Sequence, residues 1–236
     1  MEKLLPNVVR EMVTANDEHW YPSPKSKDLY YPSVTTILSI FPKGVGFSMY
    51  LAGQASWESS QANLKQAGER GKKIHTATEL LEKGETLERT YYTLEEWEML
   101  MGFVAWHREY KPELVDMEYQ MVSDKYKTGG TLDRVYRING ILELLDIKTS
   151  GSIYDSYWLQ VAAYAKMYEA KKKLKIDRVS ILRLTDRRKS RYEYVVQSEW
   201  KPYFDMFLNQ QETWNFLNPN AKGPKVIEVP ETLSIV

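Results

Sequence analysis

The sequence predicts an α/β protein whose core is a mixed β-sheet flanked by helices, with an N-terminal helical segment before the sheet. Three observations predict this fold class. Apolar residues recur at helical spacing in the first half of the chain, and they alternate with polar residues in the second half. Asn139-Gly140 separates two alternating segments, which is a strong hairpin signal. We expect one domain over 1–236, with an irregular and helical part over 1–112 and the sheet core with a C-terminal helix over 113–236.

Four helices are predicted in the first half of the chain. The proline-punctuated residues 1–32 predict loops or short edge strands before them. Ser33 suits the N-cap of the first helix, and Gly84 suits the C-terminal end of the third. The helices are expected at 33–41, about 47–54, about 57–83 and about 93–110. In the third helix, four residues at helical spacing are expected to face the core: Ala67, Ile74, Ala77 and Leu81.

Five strands and two further helices are predicted in the second half. Alternation of apolar and polar residues predicts the strands, and helical periodicity predicts the helices. The strands are expected at 115–124, 131–138, 141–148, 178–184 and 191–196, and the helices at about 153–172 and about 199–217.

The composition excludes several classes of site. The chain has no cysteine, which rules out disulfides, thiolate nucleophiles, cysteine-type zinc sites and cysteine-ligated iron–sulfur clusters. No apolar run approaches the roughly 20 residues that a membrane-spanning helix needs. The first residues, MEKLLPNVVREMV, lack the apolar core of a signal peptide. We therefore expect a cytoplasmic protein with no membrane partner.

Charge is balanced overall but segregated along the chain. Lysine plus arginine and aspartate plus glutamate number 32 each. Residues 170–191 are strongly basic, whereas residues 78–98 are strongly acidic. This asymmetry permits an anionic substrate on one face, but solvated helix and turn surfaces would give the same pattern. Charge alone therefore does not identify a partner.

The predicted hairpin brings three ionisable residues together. A two-residue loop at Asn139-Gly140 places Asp133 directly across from Asp146 on the neighbouring strand. Opposed residues of antiparallel strands project to the same face, with Cβ atoms roughly 5 Å apart. Lys148 shares that face because it lies two residues beyond Asp146. We therefore expect Asp133, Asp146 and Lys148 to converge on one patch.

Two carboxylates this close repel each other by roughly 3 kcal/mol at an effective dielectric constant of 20. A proton on one carboxyl, the Lys148 ammonium, or a bridging divalent cation could offset the repulsion. Oxygen ligands without sulfur suit Mg²⁺ or Mn²⁺. The alternative is a sheet face where the charged groups simply meet water. Leu142, Leu144 and Leu145 argue against it, because they make this strand apolar on both faces.

The segment GGTLDRVYRINGILELLDIKTS, followed by LQVAAY, resembles the core of the PD-(D/E)XK nuclease superfamily in its RecB-like and Cas4-like exonuclease branch. The matching residues are Asp133, Asp146, Lys148, Gln160 and Tyr164. The upstream segment GERGKKIHTATE supplies the glycine and histidine of that branch as Gly71 and His75, with Glu79 one turn later. The segment YPSVTTIL is similar to phage-type exonucleases and to the mitochondrial genome maintenance exonuclease. The resemblance implies a restriction-endonuclease-like sheet core.

The resemblance also implies roles for these residues. Asp133, Asp146, the Ile147 carbonyl and His75 would bind one or two Mg²⁺ or Mn²⁺ ions. Lys148 would position or deprotonate the attacking water, or stabilise charge on the phosphate. Gln160 and Tyr164 would lie beside the active site, in contact with the substrate backbone or the lysine. Polar residues near the phosphate are expected at three further positions: Glu118, Thr149 and Ser150.

The function that follows is a metal-dependent deoxyribonuclease, an exonuclease acting on single-stranded DNA ends in a bacterial or phage-infected cell. Replication or recombination proteins are expected as further partners. An iron–sulfur cluster, common in Cas4 relatives, is not expected because its cysteines are missing. Three alternatives stay open: a structure-selective DNA endonuclease, a catalytically inactive nucleic-acid-binding module, and a non-nuclease enzyme that uses Asp133 and Asp146 as an acid/base pair.

Overall fold

The computed structural model describes residues 12–15, 18–26, 29–42, 44–221 and 223. Eight strands and six helices follow one another in this part of the chain. The strands are β1 (Val13–Ala15), β2 (Glu18–Pro22), β3 (Tyr30–Pro32), β4 (Glu113–Ser123), β5 (Thr128–Ile138), β6 (Ile141–Lys148), β7 (Arg178–Leu184) and β8 (Tyr192–Gln197). The helices are α1 (Val34–Ile37), α2 (Gly44–Ala52), α3 (Trp57–Glu82), α4 (Leu94–Tyr110), α5 (Asp155–Lys172) and α6 (Lys201–Leu217), with short 3₁₀ turns at Leu38–Ile40 and Arg89–Tyr91.

The central sheet has five strands in the order β4-β5-β6-β7-β8. All neighbours are antiparallel except β6 and β7, which are parallel and are joined through α5. A parallel pair requires such a crossover connection, and a helix is its usual form. A second sheet, β1-β2-β3, is formed by the segment for which loops or short edge strands are predicted. The mixed α/β fold class is thereby confirmed.

Helices cover both faces of the central sheet. On one face, α1, α5 and α6 bury the larger apolar cluster, which includes Leu144 of β6. On the other, α3 and α4 bury a second cluster, which includes Leu145. Successive β6 residues therefore point into different cores, which explains why this strand is apolar on both faces. The catalytic candidates at the end of β6 thus lie on a strand held rigidly from both sides.

The helix boundaries follow local capping chemistry. The Ser33 and Thr93 side chains each accept a hydrogen bond from a backbone amide in the first turn, and so begin α1 and α4. Gly84 follows the end of α3 at a φ of 83°, in the left-handed region that glycine tolerates best. No helix within the described residues is long and apolar enough to cross a membrane.

Two residues of α3 are less buried than the sequence predicts. On α3, Ile74 and Ala77 are buried as predicted, but Ala67 and Leu81 are only partly buried. Most of the first half of α3, around Ala67, is exposed to solvent, whereas Leu81 packs at the border of the second apolar cluster. The predicted domain boundaries over 1–236 stay a prediction, and residues 1–11 and 224–236 lie outside the described residues.

Candidate active site

The β5–β6 hairpin has the register that the sequence predicts. Ile138 pairs with Ile141, and pairing continues as far as Arg134 with Leu145. Asp133 and Asp146 are the next two residues along. At this point the Asp133 Oδ2 atom accepts a hydrogen bond from the Ile147 backbone amide at 2.7 Å. The strand ladder is thus replaced by a carboxylate contact where the candidate site begins.

Asp146, Lys148 and Gln160 form one connected group. Lys148 Nζ lies 2.7 Å from Asp146 Oδ2, and it donates to Gln160 Oε1 at 3.1 Å. The Gln160 amide donates to Asp146 Oδ1 at 3.3 Å. Gln160 comes from α5, so this helix bridges the two charged residues of β6. The ring of Tyr157, one turn earlier on α5, lies 4.6 Å from Lys148 Nζ, in a cation–π contact.

His75 reaches the same site from α3. Its Nε2 atom lies 3.0 Å from the Ile147 carbonyl oxygen, and its Nδ1 atom lies 3.5 Å from Asp133 Oδ2. A carbonyl oxygen only accepts, so Nε2 carries the hydrogen. Nδ1 therefore faces the Asp133 carboxylate with either a proton or a lone pair. The structure thus brings His75, Asp133 and the Ile147 carbonyl into contact, while Asp146, the residue before Ile147 on β6, has Lys148 and Gln160 as its contacts.

Tyr164 lies behind Gln160, in the interior. The Gln160 amide also donates to the Tyr164 hydroxyl, at 3.4 Å, which is a long contact. The Tyr164 ring packs directly on Gly130, where any Cβ atom would collide with it. Tyr164 is almost fully buried, and burial holds the pKa of its hydroxyl well above the usual value. Its place is therefore that of a support for Gln160.

Glu118 of β4 is a further acidic residue at the site, for which the sequence suggested only a polar position near the phosphate. One ligand atom from each of Glu118, His75 and Asp133 lies within 4.8 Å of the other two. The buried Arg134 guanidinium donates to Glu118 Oε1 at 3.0 Å. Glu118 has a φ of 47°, a conformation that costs a non-glycine residue about 1 kcal/mol or more. Strained residues of this kind concentrate at functional sites.

Glu118 lies between the paired residues Met117–Arg134 and Tyr119–Leu132, so it stands across from Asp133. The signal for it in the sequence would have been the β4–β5 register, which no two-residue turn reveals. Glu79 and Thr149, the other polar residues considered from the sequence, lie at the margin. Glu79 forms an ion pair with Lys83 at 3.8 Å, and the Thr149 carbonyl accepts from Arg70 at 3.5 Å.

Burial dominates the electrostatics of the site. Burial raises the pKa of Asp146 to about 6, against the opposing effect of the Lys148 ammonium. Burial by itself would lower the pKa of Lys148, but the carboxylates of Asp146 and Asp133 outweigh it and raise that pKa. Burial and the nearby Asp133 charge also raise the pKa of Glu118. The site thus holds three carboxylates, those of Glu118, Asp133 and Asp146, next to the Lys148 ammonium and the Arg134 guanidinium.

The donor set fits a hard divalent cation. Asp146 is buried, and its Oδ2 atom has the Lys148 ammonium as its partner at 2.7 Å. Carboxylate and carbonyl oxygens with one imidazole suit Mg²⁺ or Mn²⁺. A bound divalent cation would lower the repulsion among Glu118, Asp133 and Asp146. His75, Asp133, Asp146 and the Ile147 carbonyl would hold it, with Glu118 alongside.

Comparison with known proteins gives the following results. No protein-family model matches the sequence, and no curated protein matches it. Among solved structures, the crystal structure of SSO0001 matches with 17% identity and a TM-score of 0.34, over 54% of this chain and 60% of that one. An alkaline exonuclease, LHK-Exo from Laribacter hongkongensis, matches with 13% identity and a TM-score of 0.37, over 79% of this chain and 91% of that one. This chain thus spans less than two thirds of the length of SSO0001.

The sheet order and the order of elements around it agree with a restriction-endonuclease-like core. The side chains of the quoted motif lie on the strand pair and on the following helix, as the resemblance implies. The residues of the quoted motif thus lie on β5, β6 and α5 of a mixed sheet flanked by helices: Asp133, Asp146, Lys148, Gln160 and Tyr164.

Proposed function

We propose that this protein is a divalent-metal-dependent nuclease that hydrolyses DNA phosphodiester bonds, acting as an exonuclease on single-stranded ends. The observation that carries the proposal is the close approach of two pairs of residues at the end of β6. These are His75 with Asp133 and Asp146 with Lys148. Buried carboxylates beside an ammonium offer both a cation site and a positive group for a phosphate. The preference for single-stranded ends rests on the sequence resemblance.

Mg²⁺ or Mn²⁺, as one ion or two, would be the cofactor, held by His75, Asp133, Asp146 and the Ile147 carbonyl. When bound, such an ion lowers the pKa of a coordinated water and neutralises phosphoryl oxygens. Asp133 and Asp146 keep the site negative before the substrate arrives. His75 fixes the Ile147 carbonyl through its Nε2 hydrogen. These residues thus hold the donor atoms in place from two strands and a helix.

Lys148 would act on the substrate phosphate. Its Nζ atom lies among oxygen acceptors, the Asp146 carboxylate and the Gln160 carbonyl. A nitrogen in this setting must keep its hydrogens, so Lys148 serves as an ammonium that donates to a non-bridging phosphate oxygen. Gln160 holds Lys148 and Asp146 at a constant separation, and Tyr164 supports Gln160. In hydrolysis, water forms the new P–O bond while the bond to the leaving oxygen breaks.

The substrate would be DNA from replication or recombination intermediates in the cytoplasm, alongside the proteins that process them. A cleavage assay tests the proposal. Single-stranded and double-stranded DNA, labelled at either end, is incubated with the protein in Mg²⁺, Mn²⁺ or EDTA. We expect progressive shortening of single strands with either metal and no cleavage in EDTA. Circular single strands should resist cleavage, whereas an endonuclease would linearise them.

The controls use two lysines that both pair with an aspartate and an aromatic ring. Lys148→Ala should reduce cleavage about a hundredfold, while Lys172→Ala, which removes the ion pair with Asp116, should retain it. Absence of cleavage by the wild-type protein with every metal would refute the nuclease proposal. Binding of DNA without cleavage would then favour the inactive binding module, and metal-independent chemistry would favour the acid/base alternative.

A further inference from the structure

Two tyrosines stand at the entrance to α5, next to the candidate active site. Tyr154 immediately precedes the helix, and Tyr157 lies in its first turn. Their ring centroids are 5.4 Å apart at an interplanar angle of 79°, an edge-to-face pair. Tyr157 is half-buried, whereas Tyr154 is 45% exposed. The inner ring of the pair, Tyr157, is therefore partly enclosed by the protein, and the outer ring, Tyr154, faces the solvent.

Tyr157 lies between Tyr154 and the candidate catalytic residue Lys148. Its ring lies 4.6 Å from Lys148 Nζ. Gln160, which holds Lys148 and Asp146, is less than one turn further along the same helix. A phosphate held at Lys148 would therefore lie near Tyr157, whose ring contacts that of Tyr154.

The exposure of Tyr154 is not explained by packing. Among the described residues, the only aromatic ring that contacts it is that of Tyr157. A single exposed aromatic side chain is ordinary on a protein surface. Tyr154 differs because its one ring neighbour, Tyr157, lies 4.6 Å from the Lys148 ammonium, and because it precedes the helix whose Gln160 holds that ammonium.

We propose that Tyr154, backed by Tyr157, is a stacking platform for an unpaired nucleobase next to the phosphate held by Lys148. The inference rests on the proposed nuclease function, and it names the feature that selects single strands. Every base has a π-face, so stacking on an aromatic ring tolerates any sequence. In a duplex the faces of each base are already occupied by its neighbours. The platform therefore favours single-stranded DNA without reading its sequence.

Fluorescence anisotropy with labelled oligothymidylate and with a matched duplex, in EDTA and in Ca²⁺, tests the platform without turnover. Tyr154→Ala should weaken single-strand binding about tenfold, the loss of one base–aromatic stack, and leave duplex binding unchanged. Tyr154→Phe should bind like the wild type, since it keeps the ring. Tyr154→Leu should behave like the alanine variant, because it keeps apolar surface without a π-face. Phe216→Ala, at a ring that is 83% exposed on α6, is the control and should change neither affinity.

The outcomes separate this inference from the proposed function. Wild-type cleavage with unchanged single-strand affinity in Tyr154→Ala would overturn the platform and leave the nuclease assignment intact. Equal losses on single strands and duplex would also overturn it, since they would indicate a general contact. A tenfold selective loss in a protein that fails to cleave DNA with any metal would support the platform while refuting the nuclease. Thermal unfolding of each variant would confirm that all four fold.

Discussion

Two clusters that include residues of α5 have similar residue types, but their aspartates are buried to different depths. The Asp146 cluster joins Asp146 and Lys148 of β6 to Gln160 and Tyr157 of α5. The Asp116 cluster joins Asp116 of β4 to Tyr168 and Lys172 near the other end of α5, with the Tyr119 ring 4.1 Å from Lys172 Nζ. Each contains an aspartate, a lysine and an aromatic ring, so residue types alone do not distinguish them.

Their hydrogen bonds and their exposure distinguish them. In the Asp116 cluster, the Tyr168 hydroxyl donates to one carboxylate oxygen at 2.5 Å and Lys172 donates to the other at 3.2 Å. The side chain of Asp116 is 21% exposed, against 1% for Asp146. Asp146 is buried deeply, and its two carboxylate oxygens have Gln160 at 3.3 Å and Lys148 at 2.7 Å as partners. A partly exposed aspartate held by a tyrosine and a lysine is a structural element, whereas a deeply buried carboxylate whose pKa is raised is a candidate for function.

The largest expected effect comes from removing the two aspartates in turn. Asp146→Asn should lower the rate of metal-dependent cleavage at least about a hundredfold and weaken Mn²⁺ binding, because it removes a charged ligand. Asp116→Asn should leave both unchanged. Cleavage assays and Mn²⁺ titration calorimetry on the same preparations measure the two effects. Equal losses in both variants would mean that the deeper burial of Asp146 does not mark it as a functional residue.

The two lysines sharpen the comparison next. Lys148→Ala should reduce the cleavage rate about a hundredfold while DNA affinity in EDTA stays near the wild-type value, because the ammonium acts mainly on developing phosphate charge. Lys172→Ala should change neither quantity. Single-turnover kinetics and DNA-binding anisotropy separate the two readouts. Loss of DNA binding in Lys148→Ala would instead assign Lys148 to ground-state attraction of the phosphate.

The contrast between these clusters also shows what could be predicted from the sequence. The register that places Asp133 across from Asp146 could be predicted, because a two-residue turn determines the pairing of the β5–β6 hairpin. The grouping of Asp116 with Tyr168 and Lys172 could not be predicted, since 52 and 56 residues separate them. No local rule determines how α5 lies across β4.

The positions of Glu118 and His75 at the site were harder still to predict from the sequence. β4 and β5 are joined by a longer connection, and β4 has a register irregularity between Leu114 and Asp116. The position of Glu118 across from Asp133 was therefore unreadable from spacing. His75 meets Ile147 across 72 residues, and only the family resemblance suggested it. Tertiary packing between α3 and the sheet decides that contact.

Glu118 gives the next smaller effect. Glu118→Gln keeps the shape and an acceptor for Arg134, so it should leave the fold intact while lowering Mn²⁺ affinity about tenfold. Glu113→Gln, an exposed glutamate at the start of the same strand, is the control and should bind Mn²⁺ like the wild type. Titration calorimetry without DNA measures both. Unchanged affinity in Glu118→Gln would restrict the metal site to the residues predicted from the sequence.

The pH dependence of stability should also differ between the clusters. Because the pKa of Asp146 is raised to about 6, the folded protein holds this proton more tightly than the unfolded chain does. In EDTA, the free energy of unfolding should therefore fall by about 2 kcal/mol from this group as pH rises from about 4 to above 6. Asp146→Asn should lack this contribution, and Asp116→Asn should retain it. Urea unfolding across this range measures the slope, and identical slopes in all three proteins would contradict it.

The smallest expected effect concerns the tyrosine of the Asp116 cluster. Tyr168→Phe removes the hydroxyl that donates to Asp116, and it should lower the free energy of unfolding by about 1 kcal/mol without changing cleavage. Tyr164→Phe removes only a long contact with Gln160, so it should cost less stability but reduce the cleavage rate through a less ordered amide. Urea unfolding and initial rates on the two variants give the four numbers needed. A fall in cleavage for Tyr168→Phe equal to that for Tyr164→Phe would mean that α5 transmits disorder along its whole length, and that the two clusters are not independent.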